Sequence, residues 1–242
     1  MLGYPSGVAA VLLVTSMALS ACSSPAREPA ANSSFGEVPV SRLASTHRSG
    51  FNGTLLDPPV AAPTQPLRDT DGRDFVIAER PEDGVTVLFF GYTHCPDVCP
   101  TTLADLATAR AAMSAPDRDK VTVLFVTEDP ERDTPNALRR WLDGFDRSFV
   151  GLSGGNAATR QMLEDLYLPT TKRLPHPEKG IKHPDNGARH HEHGDYGVEH
   201  SGVVYAFGPG DSTVIYTGNI TPDEYAADFA RLLHHTPKGS GS

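Results

Sequence analysis

A largely apolar run that leads into a glycine and two cysteines places the strongest constraint on the fold of this chain. The run covers residues 85–90, and Gly91, Cys95, Cys99 and Pro100 follow it. Such a run is typical of a strand buried on both faces of a sheet, and a proline fits the first turn of a helix. The sequence therefore predicts two thiols at a strand-to-helix turn, where they either bind a soft metal or alternate between dithiol and disulfide.

The predicted elements on both sides of this turn alternate between strand and helix. Residues 69–72 have the composition of a tight hairpin turn. We expect the later elements in this order: helix 100–113, strand 121–127, helix 135–145 capped by residues 133–135, strand 149–152, helix 156–166, a polar loop 169–199, strands 202–207 and 213–216, and helix 222–234. A βαβ half followed by a ββα half predicts an α/β, thioredoxin-like fold with a central mixed sheet flanked by helices.

The N-terminal segment has the features of a secretory signal. Residues 8–19 are apolar but too few to cross a bilayer, and Leu19-Ser20-Ala21-Cys22 resembles the lipobox of bacterial lipoproteins, whose cysteine is acylated and becomes the N-terminus. We expect a signal peptide over 1–21, a flexible tether over 22–50, a folded domain over 51–236 and a disordered tail over 237–242. An ordinary signal peptide or a signal anchor with an incidental cysteine is the alternative. The first seven residues lack the Lys or Arg with which such segments usually begin.

Charge and cysteine count exclude two classes of protein. The formal net charge is −9, and no cluster of Lys and Arg is present to neutralise phosphates, which argues against a nucleic-acid partner. The chain has three cysteines, of which only Cys95 and Cys99 lie in the predicted domain. A scaffold of several disulfides is therefore excluded.

The predicted position of the two thiols favours metal binding. Amide groups and the helix dipole at the start of a helix stabilise a thiolate, so we expect both thiols to be more acidic than free cysteine. Three residues separate Cys95 from Cys99, one more than in redox thioredoxins, and this wider loop lets the sulfurs share an ion without forbidding a disulfide. Two thiolates favour Cu(I), and an added imidazole or carboxylate would also suit Cu(II) or zinc.

His200 is the candidate for the third ligand. It directly precedes the predicted strand 202–207, which in a thioredoxin fold faces the active-site turn. Proteins that exchange disulfides usually keep a cis-proline at this place, whereas this chain has Glu199-His200-Ser201. A metal-binding side chain thus stands where substrate backbone would be held.

Several other polar residues are weaker candidates. Asp129 is a candidate for an outer carboxylate that orients His200 or tunes the thiolates, and Asp133 is expected to cap the following helix. The loop before His200 is rich in histidine, at positions 176, 183, 190, 191 and 193. This tract either collects copper or zinc weakly or is a solvated insertion, and we favour the insertion.

Three motifs resemble the Sco/SenC family: the segment 89–103 with its two cysteines, Asp129-Pro130-Glu131-Arg132-Asp133-Thr134-Pro135, and His200-Ser201 before a strand. The resemblance covers residues 51–236. It implies a thioredoxin-like copper-binding domain, with Cys95, Cys99 and His200 as the ligands of Cu(I) or Cu(II). It also implies a role in assembly of the Cu(A) centre of cytochrome c oxidase. The partner would then be the Cu(A)-bearing subunit, alongside a thiol reductant or another copper chaperone.

Three functions remain open from the sequence. The first is a metallochaperone, which requires no turnover of a substrate, and the second is a thiol-disulfide oxidoreductase that reduces the oxidase's copper-ligand cysteines. The third is a copper or redox sensor. All three use Cys95 and Cys99, but only the first and third require His200. With Cys22 acylated, the protein would be exported and lipid-anchored on the outer face of the bacterial cytoplasmic membrane.

Overall fold

The computed structural model describes residues 50–175 and 196–235. The predicted signal peptide, the tether up to residue 49, the histidine-rich segment 176–193 and the tail 237–242 lie outside the described residues. Within the two described ranges, no helix has the length and apolar character needed to span a membrane.

The described ranges contain ten strands, five α-helices and two short 3₁₀ helices at Ile77–Glu79 and Pro209–Asp211. The strands are β1 (Thr54–Leu55), β2 (Pro66–Asp69), β3 (Asp74–Val76), β4 (Val85–Gly91), β5 (Val121–Thr127), β6 (Val150–Ser153), β7 (Lys172–Pro175), β8 (Tyr196–Glu199), β9 (Val204–Phe207) and β10 (Thr213–Tyr216). The helices are α1 (Val98–Ala112), α2 (Ala115–Arg118), α3 (Pro135–Leu142), α4 (Gly155–Asp165) and α5 (Pro222–Leu233).

Eight of these strands form one mixed sheet, in the order β1-β10-β9-β4-β5-β6-β2-β3. β4 and β5 pair in parallel from Val85 opposite Val121 to Gly91 opposite Thr127, and β9 pairs antiparallel with the other edge of β4. The β4-α1-β5 and β9-β10-α5 units correspond to the βαβ and ββα halves expected from the sequence. The predicted α/β, thioredoxin-like fold is confirmed.

Both faces of β4 are buried, which explains its apolar sequence. Val87 and Phe89 belong to one core cluster, together with residues of α1 and α5, whereas Leu88 and Phe90 belong to a second cluster with residues of α4. Burial of one such side chain stabilises the fold by about 1.5–3 kcal/mol. Because β4 leads directly into the cysteine turn, packing on both sides of the sheet holds the start of that turn.

The segment predicted to be a polar loop, 169–199, is ordered into strands at both ends. β7 and β8 pair antiparallel in a separate two-stranded sheet, with Lys172 opposite Glu199 and Leu174 opposite Gly197. The prediction of a continuous loop was wrong there, because β7 is short, contains two charged residues and a proline, and pairs with residues more than twenty positions away. The β7-β8 hairpin matters for the site because β8 ends at the residue before His200.

Candidate metal centre

The cysteine turn lies between the end of β4 and the first turn of α1. Its backbone is closed by the Cys95 N–H, which donates to the Tyr92 carbonyl at 3.2 Å. The Cys99 N–H, in the first turn of α1, points at Cys95 Sγ at 3.4 Å. Both cysteines are unpaired and buried, with Cys95 8% and Cys99 0% exposed. Cys95 is therefore the thiol nearer to the surface.

Gly91 makes room for the Cys99 side chain at the end of β4. A Cβ atom at this position would lie 2.5 Å from Cys99 Sγ, well inside van der Waals contact, and 3.1 Å from the Phe125 ring. Any larger residue at position 91 would therefore push the Cys99 sulfur out of its place. The glycine in the sequence motif is thus required by packing at the site.

Burial controls the acidity of Cys99. Removal from water raises the pKa of the Cys99 thiol, and the neighbouring Cys95 raises it further. The expectation that the helix terminus makes both thiols more acidic is therefore wrong for Cys99, because desolvation of a thiolate outweighs the attraction of the helix dipole. A bound cation would reverse this balance, since it neutralises the thiolate charge where it forms.

His200 completes a cluster of three donor atoms. Its Nε2 lies 3.4 Å from Cys95 Sγ and 3.5 Å from Cys99 Sγ. The ligand atoms of these three residues all lie within 4.8 Å of one another. The structure thus brings together the three ligands predicted from the sequence. Two of them come from the cysteine turn and one from the segment that follows β8.

The contacts of the imidazole orient it toward the sulfurs. His200 Nδ1 lies 3.1 Å from the Ser201 carbonyl, which only accepts, so Nδ1 carries the proton and Nε2 presents its lone pair to the thiols. The ring also packs edge-on against Tyr92, with 5.4 Å between the ring centroids. Burial lowers the pKa of His200, which favours the neutral form that binds metals.

The donor set fits copper. Two thiolates and a neutral imidazole are soft to borderline ligands, which bind copper tightly, and all three converge on one point in a protected site. Such a set leaves room for a further ligand from outside. The same two thiols, if oxidised instead, have the proximity needed for a disulfide.

Asp129 lies near the site but does not contact His200. Its carboxylate accepts hydrogen bonds from the Tyr196 hydroxyl at 2.6 Å and from Arg132 Nε. Arg132 also donates from Nη1 to the Tyr196 carbonyl at 3.0 Å and covers the Tyr196 ring. The structure shows no contact between Asp129 and His200, and the interpretation of Asp129 as an outer carboxylate that tunes the thiolates stays a prediction. Asp129 instead ties β8 to the loop after β5 through Tyr196.

Asp133 does not cap α3, contrary to the prediction. Thr134 is the capping residue, and its hydroxyl accepts from the Ala137 N–H at 3.3 Å. The buried Asp133 carboxylate accepts from the Thr93 N–H at 3.0 Å and from the hydroxyls of Thr93 and Thr127, both at 2.6 Å. It thereby fixes the segment before Cys95 to the end of β5.

Among the described residues, the carboxylate paired with the imidazole belongs to Glu128, which was not predicted from the sequence. Glu128 Oε2 lies 3.7 Å from His200 Nδ1, and both side chains are buried. Burial raises the pKa of Glu128 to about 7. The only signal in the sequence was an acidic residue directly after a buried strand, and Asp129 beside it carries the same signal.

Two remaining predicted groups cannot be placed relative to this cluster. Cys22 and the five histidines at 176, 183, 190, 191 and 193 lie outside the described residues.

The fold and the site together define a class: thioredoxin-like domains that present two cysteines and a histidine as a metal site at the strand-to-helix turn. The SCO1/SenC family model matches residues 64–234. The chain belongs to the SCO1/SenC family, and the resemblance in its motifs is confirmed at that level.

Individual relatives agree with this assignment. A protein of Stutzerimonas stutzeri described as a putative copper-binding protein is 33% identical over 126 residues, which is 52% of this chain and 54% of the relative. The mitochondrial SCO2 homologue of Danio rerio is 32% identical over 146 residues, 60% of this chain and 47% of the relative. The chain thus spans about half the length of these curated relatives. The structure of Bradyrhizobium japonicum ScoI with copper bound superposes with a TM-score of 0.55 at 32% identity, covering 71% of this chain and 99% of that one.

Proposed function

We propose that the chain binds one copper ion through Cys95, Cys99 and His200. The observation that carries this proposal is the convergence of two sulfurs and one imidazole nitrogen within 4.8 Å. The copper-bound relative from Bradyrhizobium japonicum supports copper over zinc as the ion.

The proposed role is delivery of copper for assembly of the Cu(A) centre of cytochrome c oxidase. Three protein donors leave a coordination position through which a ligand of the Cu(A)-bearing subunit can attack the ion. Cys95 is the more exposed thiol, and we expect exchange to begin on its side of the site. Membership of the SCO1/SenC family supports this role.

The copper proposal is tested by metal stoichiometry in a chain without the histidine-rich segment. Replacing residues 176–193 by a neutral linker of equal length is expected to leave one tightly bound copper ion per reduced chain, because the proposed ligands lie elsewhere. Weak additional binding of copper or zinc should disappear. Metal analysis after dialysis against a competing chelator measures both, and loss of the tight ion in this variant would show that the third ligand has been misplaced.

We also propose export and lipid anchoring at Cys22, on the outer face of the bacterial cytoplasmic membrane. The support is Leu19-Ser20-Ala21-Cys22 after an apolar segment. Mass spectrometry of the protein extracted from membranes is expected to find an N-terminal Cys22 that carries lipid. An unmodified N-terminus beyond Cys22, or an intact segment from Met1, would contradict this prediction.

Thiol-disulfide exchange is the second candidate function, favoured by the two free thiols at a helix start. Because Cys99 is fully buried, Cys95 would be the attacking thiol in such an exchange and Cys99 the resolving one. No contact in the described part of the chain specifically favours the sensor function.

A further inference from the structure

Glu128 has a buried carboxylate with too few hydrogen-bond donors. It directly follows β5, and its side chain is 0% exposed. Oε1 accepts from the Thr171 hydroxyl at 2.6 Å, whereas Oε2 has no hydrogen-bond donor among the described residues. A buried polar atom without a partner costs on the order of 1–3 kcal/mol. This carboxylate is therefore expected to lower the stability of the metal-free fold.

The imidazole of His200 lies between this carboxylate and the two sulfurs. Glu128 Oε2 is 3.7 Å from Nδ1, which is ion-pair distance and slightly too long for a direct hydrogen bond. The opposite ring nitrogen, Nε2, faces Cys95 and Cys99. Because Nδ1 carries the proton, the positive edge of the ring is directed toward both the Ser201 carbonyl and Glu128.

We propose that Glu128 is a positioning residue for His200 and that its charge favours copper(II) over copper(I) at this site. The proposal rests on the copper site proposed above. A cation on Nε2 withdraws electrons from the imidazole and makes its Nδ1–H edge more positive, which strengthens the electrostatic attraction between the ring and the carboxylate 3.7 Å away. The withdrawal is greater for a divalent than for a monovalent ion, so the carboxylate stabilises copper(II) more.

The far side of Glu128 is polar, which is compatible with a charged carboxylate. Glu128 borders a cavity of about 190 Å³ whose other lining residues are polar or cationic: Asn156, Thr159, Arg160, Thr170, Thr171 and Arg173. One of the two cations, Arg173, is engaged by Glu131 at 2.7 Å. The carboxylate thus has the metal-binding imidazole on one side and a polar cavity on the other.

Substitution of Glu128 separates this role from a structural one. In the full, reduced chain, Glu128→Gln is expected to lower copper(II) affinity by roughly 10- to 100-fold, the usual effect of losing such a partner. Copper(I) affinity should fall less, so the reduction potential of the bound copper rises. Competition with chelators specific for each oxidation state measures both affinities.

Two further variants complete the test. Glu128→Leu is expected to weaken copper(II) binding in the same way without lowering the unfolding midpoint of the metal-free protein, because it removes the poorly partnered carboxylate. Glu131→Gln removes the same charge from an exposed side chain three residues further along the same loop and should leave both affinities unchanged.

The possible outcomes distinguish this role from the copper proposal itself. An unaltered chain that fails to retain copper would overturn the proposed function, and this role with it. If the unaltered chain binds copper normally, two results in Glu128→Gln would overturn the role of Glu128 alone. One is an equal loss of affinity for copper(I) and copper(II), and the other is no loss of affinity for either. An equal shift in Glu131→Gln would also overturn it, since the effect would then be one of net charge.

Discussion

Cys95→Ser or Cys99→Ser is expected to abolish tight copper binding by the reduced protein. A hydroxyl is a poor ligand for a soft ion, and the remaining sulfur and imidazole leave copper underligated. Four-ligand zinc sites in peptides contribute about 10–16 kcal/mol, or roughly 2.5–4 kcal/mol for each ligand. Loss of one thiolate should therefore weaken binding on the order of 100- to 1,000-fold. Oxidation of the pair to a disulfide should release the metal as well.

The two variants are expected to differ in stability. Cys99 is fully buried against Gly91 and Phe125, so its serine variant places a hydroxyl in apolar surroundings at a cost of about 1–3 kcal/mol. Cys95 lies nearer to the surface, and Cys95→Ser should unfold close to the temperature of the unaltered protein. Cys95→Ser is therefore the cleaner test of the ligand role.

Copper retention is measured in chains that carry the neutral linker in place of 176–193, so that weak sites do not contribute. Cys22→Ser in the unlipidated chain is the matched control, because it removes the one cysteine outside the predicted domain, and it should retain one copper ion per chain. Full retention of copper by either Cys95→Ser or Cys99→Ser would refute the copper assignment.

The parts of the site that follow from local sequence could be predicted. The apolar run 85–90 predicts a buried strand, and the glycine, two cysteines and proline after it predict the start of a helix. The observed strand and helix lie close to these predicted positions. His200 could be predicted as the third ligand because the fold topology places the start of β9 beside the end of β4. Both inferences rest on periodicity and strand order.

The parts that depend on contacts distant in sequence could not be predicted. The ordering of β8 relies on Tyr196, whose hydroxyl and carbonyl bind Asp129 and Arg132 more than sixty residues earlier. The choice between adjacent carboxylates depends on which side chain points toward His200, and the sequence places Glu128 and Asp129 side by side. The acidity of Cys99 depends on the depth of burial, which no motif expresses.

His200→Ala separates copper delivery from reduction of partner thiols. If delivery is the main function, this variant should impair assembly of the oxidase at limiting copper, since it removes one of three ligands. It should still form and exchange the Cys95–Cys99 disulfide, because that chemistry depends on the thiols and on the helix start, where the Cys99 N–H meets Cys95 Sγ. If reduction is the main function, His200→Ala should have almost no effect, and only the cysteine variants should fail.

His94→Ala is the matched control for this experiment, because His94 lies in the same turn with its side chain 58% exposed and outside the three-residue cluster. It should support normal oxidase assembly and copper retention. The position of His200 favours the first outcome: its Nε2 approaches both sulfurs at nearly equal distances, a geometry that serves a shared ion and that thiol exchange does not require. A strain that carries His200→Ala and still assembles a fully metallated Cu(A) centre at limiting copper would make thiol-disulfide exchange the main function of the chain.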